Sequence, residues 1–141
     1  MRGLTTTEIF NFVWEAIKLS PLSEVIPTIY ADHYPTQGGS GKPLPKEFIV
    51  VNSLSNAVGD MQVATLNVNI YVHDQTPTIN RQEQRYPDRL RLMELTQIAF
   101  DSLRGYPTDG RWFFDVSNET LISEDAIPYT LSNIKITFRK Y

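Results

Sequence analysis

Ile9, Phe10, Val13, Ala16 and Ile17 are the first apolar positions to recur with a helical period, and Thr5, Thr6 and Thr7 offer N-caps just before Glu8. The spacing predicts a helix from about Thr6 to Leu19. Phe12, Trp14 and Leu19 widen its apolar face to roughly 220° at about 100° per residue, leaving Asn11, Glu15 and Lys18 on a narrow polar strip. One sheet cannot cover so broad a face, so another part of the chain or a neighbouring subunit must shield the rest. Pro21 stops the helix, the stretch from Pro21 to Ile26 allows one further turn, and Pro27 forces an extended backbone into a short strand, Thr28 to His33.

Glu47 to Leu54 carries Phe48, Ile49, Val50 and Val51, apolar on both faces as a central strand requires, and Asn56 to Asp60 supplies a turn. From Met61 to His73 the pattern alternates, with Leu66, Val68, Ile70 and Val72 on one face and Asn67, Asn69, Tyr71 and His73 on the other. That predicts a half-buried antiparallel strand. At about 3.3 Å per residue it runs some 40 Å, long enough for the hairpin to project beyond the core. Asp74 to Arg85 is polar and contains Pro77. Pro87 and Asp88 then open a second helix, with Leu92, Leu95, Ala99 and Leu103 inward, Met93 and Phe100 alongside, and Gly105 and Pro107 ending it after Arg104. Arg111 to Val116 and Tyr129 to Lys140 read as the last two main strands, with a short one at Leu121 and Ile122. Tyr129 and Leu131 differ in parity from Ile134 and Ile136, which predicts a bulge near Ser132 and Asn133.

Helix, three strands, helix, then two or three strands is the order of an α+β fold: an antiparallel (mixed) β-sheet of about five strands with two main α-helices packed on one face. At 141 residues the chain fits a single domain, 1–141. Hydrophobic residues at 41% and charged residues at 21% are ordinary for a globular protein. No stretch is long and apolar enough for a bilayer, and Met1 to Thr7 lacks the features of a secretory leader, so the expected place is the cytoplasm. A formal charge of −3 without a Lys/Arg cluster lacks the footprint of a nucleic-acid binder. The absence of cysteine removes disulfides, thiolate metal sites and cysteine nucleophiles together.

Candidate chemistry is sparse. Gly38-Gly39-Ser40-Gly41-Lys42 suggests a phosphate loop, but Thr36 replaces the outer glycine and Pro43 stands where Ser or Thr should meet magnesium. The stretch Thr36 to Pro45 therefore reads as a surface loop. His33 and His73 each adjoin an aspartate, Asp32 and Asp74, yet neighbours on a strand point to opposite faces, and both pairs read as exposed strand ends. Glu124 and Asp125 read as solvated loop acids, no serine sits in a nucleophile elbow, and no cofactor is implied. The Asn118-Glu119-Thr120 sequon has no secretory route.

The opening amphipathic helix is followed by the extended Ile29-Tyr30 segment, a proline-bounded loop and the Phe48-Ile49-Val50-Val51 strand. Then come the Asn69-Ile70-Tyr71-Val72 strand, a helix ending Ala99-Phe100-Asp101-Ser102-Leu103, and a closing Asn133-Ile134-Lys135-Ile136-Thr137-Phe138 strand. Over nearly the whole chain, this arrangement resembles the tail-completion, or tail-terminator, proteins of long-tailed bacteriophages and prophages. The resemblance implies a non-enzymatic virion assembly protein that forms a ring, typically hexameric, at the head-proximal end of the tail. Its partners would be further copies of itself, the tail-tube protein and a head-connector or neck protein. DNA would pass through without specific binding, since a wall without clustered Lys/Arg does not retain it. The expected location is the virion, at the tail–head junction.

The family brings no binding residues with it. From expected exposure and mobility, the interface comprises Trp14; Gln37, Gly39 and Lys42 of the glycine-rich loop; Asn67, Asn69 and Tyr71 on the outer strand face; and Arg81 and Arg85. The competing readings are another neck component such as a head-closure protein, a monomeric binding module, and a small enzyme assembled from residues such as Asp32, His33, Asp74 and Glu94.

Overall fold

Reciprocal capping starts the first element. In a computed structural model that describes residues 3–36, 43–79, 81–104 and 112–140, helix α1 (Thr6–Lys18) begins on Thr5. The Thr5 hydroxyl accepts from the Glu8 amide and the Glu8 carboxylate accepts from the Thr5 amide, each at 3.2 Å. The two bonds satisfy amides with no partner inside the helix and contribute about 1 kcal/mol. Helix α2 (Pro21–Val25) is the further turn expected after Pro21.

Strands β1 (Ile29–Ala31), β2 (Glu47–Ala57) and β3 (Gln62–His73) follow, then the two-residue pair β4 (Thr78–Ile79) and β5 (Gln82–Glu83), helix α3 (Arg89–Leu103), β6 (Trp112–Ser123) and β7 (Tyr129–Lys140). Asp88 caps α3 by accepting from the Arg91 amide. Arg91 also forks onto the Glu47 carboxylate at 2.5 and 2.9 Å, fastening the start of α3 to the start of β2. Gly105 and Pro107, expected to end α3, and Arg111 lie outside the described residues.

The main sheet has the order β1-β2-β3-β7-β6, and β4 and β5 form a separate hairpin. The sheet is mixed: β1 runs parallel to β2, whereas every other neighbouring pair is antiparallel. All three helices pack on one face, where Ile9, Val13 and Ile17 of α1, Leu22 of α2 and Leu92, Leu95 and Ala99 of α3 meet Val68, Ile70, Ile134 and Ile136 of the sheet. On the opposite face Phe48, Val50, Tyr71, Tyr129 and Leu131 form a second buried cluster under Leu44 and Ile127. The Tyr129 hydroxyl donates to the Pro45 carbonyl at 2.7 Å and so holds that cover in place.

This second cluster accounts for several departures from the expected strands. The parity change between Leu131 and Ile134 reflects burial on both faces, and β7 pairs with β3 in unbroken register with no bulge at Ser132. Register shifts occur instead at Ser53/Ser55 in β2, leaving Leu54 exposed, and at Val116/Asn118 in β6. The latter shift lets β6 run through Leu121 and Ile122, which are not a separate strand. Asn56 belongs to β2 rather than to the turn. Strand β3 does not project either: it is paired from Gln62 to His73 along β7 and is flanked by β2 over almost the same length.

Candidate interaction surfaces

An open groove lies between α3 and the edge strand β6. It is a groove of about 440 Å³ whose walls are Arg89, Leu92, Met93, Thr96, Gln97 and Phe100 on the helix and Glu119 and Leu121 on the strand. Met93 is half exposed and Leu121 more than a third exposed, so the lining is apolar and open. At its floor the Thr96 hydroxyl donates to the Ser132 hydroxyl at 2.8 Å, and Ser132 donates to Glu119 Oε1 at 2.9 Å. Both hydroxyls are buried and Glu119 is half-buried, yet among the described residues no cation pairs with this carboxylate. The outer edge of the twelve-residue β6 meets no strand among the described residues.

An arm built on β4 and β5 leaves the sheet where β3 ends. Gln75 and Tyr86 close its base by exchanging two backbone hydrogen bonds of 2.7 Å. Arg85 fastens it further: its Nε pairs with Asp74, and its Nη2 donates to the Glu124 carbonyl at 2.6 Å. Asp74 is buried and also accepts from the Thr130 hydroxyl at 2.6 Å. Arg85, expected to face a partner, is therefore a clasp within the chain, because its guanidinium balances a buried carboxylate. Arg81, at the tip, is exposed and sits at φ 65°, in the left-handed region.

The outer sheet face corrects another expectation. Asn67, Asn69 and Tyr71 are 9%, 7% and 6% exposed, not solvent-facing. Asn133 Nδ2 donates to Asn67 at 3.0 Å and to Asn69 at 2.6 Å, and Asn67 donates onward to Asn52 at 2.9 Å, a ladder across three strands. Tyr71 stacks on Phe48 with centroids 4.6 Å apart, and Tyr34 meets both rings edge-on. Burial, then the Glu124 charge, pushes the Tyr71 hydroxyl up to about 12, and the same two causes raise Tyr34. Burial first, then Tyr30, raises Tyr129.

A tyrosine whose folded pKa exceeds its unfolded one contributes stability that is complete below the unfolded value near 10 and is lost as pH rises through the folded value. The protein should therefore unfold more readily between about pH 10 and 12, and Tyr71→Phe should flatten that slope in urea melts taken across the range. An unchanged slope would show that Tyr71 ionises as easily folded as unfolded.

On α1, Phe12 stacks on Trp112 at 4.5 Å, so one apolar flank is covered from within the chain. Trp14, on the other flank, remains half-buried, stacked on Phe10 at 5.6 Å with the Lys18 ammonium over its ring. Gln37, Gly39 and Lys42 lie outside the described residues. Asp32 and His33 are exposed as expected, but Asp74 is buried and His73 half-buried, with its ring edge-on to Tyr129. Asp125 is exposed, whereas Glu124 is half-buried. Asp32, His33, Asp74 and Glu94 do not converge: Asp74 is taken by Arg85 and Thr130, and Glu94 by Arg91.

The α3–β6 groove was not anticipated, since its two walls come from elements separated along the chain. The available signal was Leu90, an apolar residue off the inward stripe of α3 that proves exposed; Met93, expected alongside the core face, proves half exposed instead. Among the described residues no helix is long and apolar enough to cross a membrane, and no three His, Asp or Glu side chains are grouped to hold a metal ion. No protein-family model and no curated protein matches this sequence.

Proposed function

We propose that the protein is a virion assembly component of the tail-terminator kind, which forms a ring of identical subunits at the end of a phage tail tube and joins it to the head. The observation that carries this reading is the long outer side of β6, which no strand flanks among the described residues, beside the open α3–β6 groove, a surface suited to another polypeptide. The opposite side of the sheet presents a different edge, the short β1 and the stretch 52–57 of β2 that β1 does not reach. Two unlike edges suit head-to-tail contacts, and such contacts close into rings when the rotation between subunits permits. Tail-tube and neck proteins would meet the two rims of that ring, with DNA passing through the opening. Another neck component would share the ring geometry and differ only in its partner.

The test is self-association. Light scattering from micromolar to near-millimolar concentration should show a closed oligomer, and negative-stain images should count six subunits around a hole. A protein that stays monomeric throughout overturns the ring.

A further inference from the structure

The α3–β6 groove carries one charge of each sign, and the two do not meet. Arg89 opens α3 and Glu119 lies on β6, both lining the groove, yet no ion pair joins them or links either to another described residue. We propose that the groove takes an extended segment of a partner protein in which an acidic, an apolar and a basic residue stand at alternate positions, the acid on Arg89, the apolar side chain against Met93 and Leu121, and the base on Glu119. This deepens the reading of the protein as an assembly component by stating the chemistry of its partner, and it rests on that reading.

Three observations converge. The first is size. Arg89 and Phe100 mark the two ends of the helical wall and, at about 1.5 Å of rise per residue, stand roughly 16 Å apart. An extended chain covers that length in about five residues of about 3.3 Å each, and its alternate side chains then face the groove together. The second is the way the carboxylate is held. Thr96 and Ser132 are buried polar residues where α3 meets the sheet, and their hydroxyls form a chain that ends on Glu119 Oε1. Oriented from behind and partly stripped of water, this carboxylate gains more from an arriving cation than one on an open surface does. Thr96 lies about 10 Å along α3 from Arg89, so the two charged positions sit apart, at different points along the groove.

The third observation is the state of Arg89. Asp74, the acid on its other side, is already balanced by Arg85, and the Arg89 guanidinium is left exposed to an incoming carboxylate. A groove that is neutral as a whole but has separated poles attracts a segment of matching polarity, and at one end it repels a segment that carries the same charge throughout. Side chains make the contact, and pairing with the backbone of β6 is not needed.

Three capped pentapeptides test the contact by calorimetry on the full chain, each with leucine in the centre, serine on either side of it and, at the two ends, glutamate and lysine, two glutamates or two lysines. The wild type should bind the mixed peptide at least about fivefold more tightly than the other two. Glu119→Lys should turn the preference to the two-glutamate peptide and Arg89→Glu to the two-lysine peptide. Glu119→Gln, which keeps an acceptor for Ser132, should bring the mixed and two-glutamate peptides level. Arg89 is exposed, so Arg89→Glu keeps the test sound even if Glu119→Lys unfolds. No binding of the mixed peptide at millimolar concentration, equal binding of all three, or a preference that the variants leave unmoved overturns the docking and leaves the ring reading to light scattering. The mixed peptide dissolving wild-type oligomers would put a second copy in the groove and overturn the partner segment. The full pattern of preferences in a protein that stays monomeric upholds the chemistry of the groove and overturns the ring.

Discussion

Phe138→Ala is expected to lose about 3–5 kcal/mol of folding stability, lowering the thermal midpoint by roughly 10 °C or more. Phe138 is completely buried in β7 and sits between the two apolar layers of the helix-covered face. Its ring lies 5.6 Å from Trp112 and 6.2 Å from Phe12, and those two rings stack on each other at 4.5 Å. Truncation therefore removes the side chain's own burial and leaves a cavity beneath the stacked Phe12–Trp112 pair. That stack is also what seals one flank of α1, so the damage should extend to the helix. Urea melts give the free energy. In a Trp14→Phe background, Trp112 emission should shift to the red in the native baseline as water reaches its ring. An exposed control, Leu19→Ala, should stay within about 0.5 kcal/mol of the parent. A Phe138→Ala loss below about 1 kcal/mol would mean that Phe12 and Trp112 close over the gap and that the stack does not hold α1 to the sheet.

The elements of the helix-covered face were legible because each follows one period. Ile9, Val13, Ala16 and Ile17 mark α1, Leu92, Leu95, Ala99 and Leu103 mark α3, and Leu66, Val68 and Ile70 mark the inner side of β3, all of which prove buried. The outer face was misjudged for a physical reason. Asparagine looks like a solvent residue until its amide is satisfied by other asparagines on adjacent strands, as Asn52, Asn67, Asn69 and Asn133 satisfy one another. Tyrosine is similarly ambiguous, because Tyr71 buries its ring against Phe48 at a position that alternates with inward aliphatic residues. The parallel pairing of β1 with β2 depends on where the chain returns after a long connection, which three residues of β pattern do not encode.

The candidate surfaces were less legible than the fold. Arg81 and Arg85 occupy one polar stretch four positions apart, yet one is exposed and the other is engaged with Asp74. What separates them is the burial of Asp74 and Thr130, a consequence of tertiary packing. Glu119 reads as an ordinary strand-edge acid until Ser132 and Thr96 line up behind it.

Arg85→Ala should be the most disruptive change at the arm, at about 2–4 kcal/mol. The Asp74 side chain is 2% exposed, so removal of the guanidinium strands a charge with only the Thr130 hydroxyl left as a side-chain partner. The Arg85 side chain is itself 35% exposed, and water entering its vacated place holds the loss below that of a fully enclosed pair. Asp74→Asn should cost less, because it removes the anion and retains an oxygen for Thr130. Combining the two should cost less than their sum, since the neutral amide no longer needs Arg85, and a double-mutant cycle measures that difference directly. Arg85→Lys should recover little: one ammonium cannot span both Asp74 and the Glu124 carbonyl, which the guanidinium reaches through separate nitrogens. Hydrogen exchange gives the local readout. The Gln75 and Tyr86 amides, which bond each other's carbonyls, should exchange faster in Arg85→Ala by a larger factor than amides in the middle of β3. If all amides accelerate together, Arg85 supports the whole sheet rather than the arm. If the arm alone loosens, the Asp74–Arg85 pair holds the arm to its own sheet without supporting the rest of the fold.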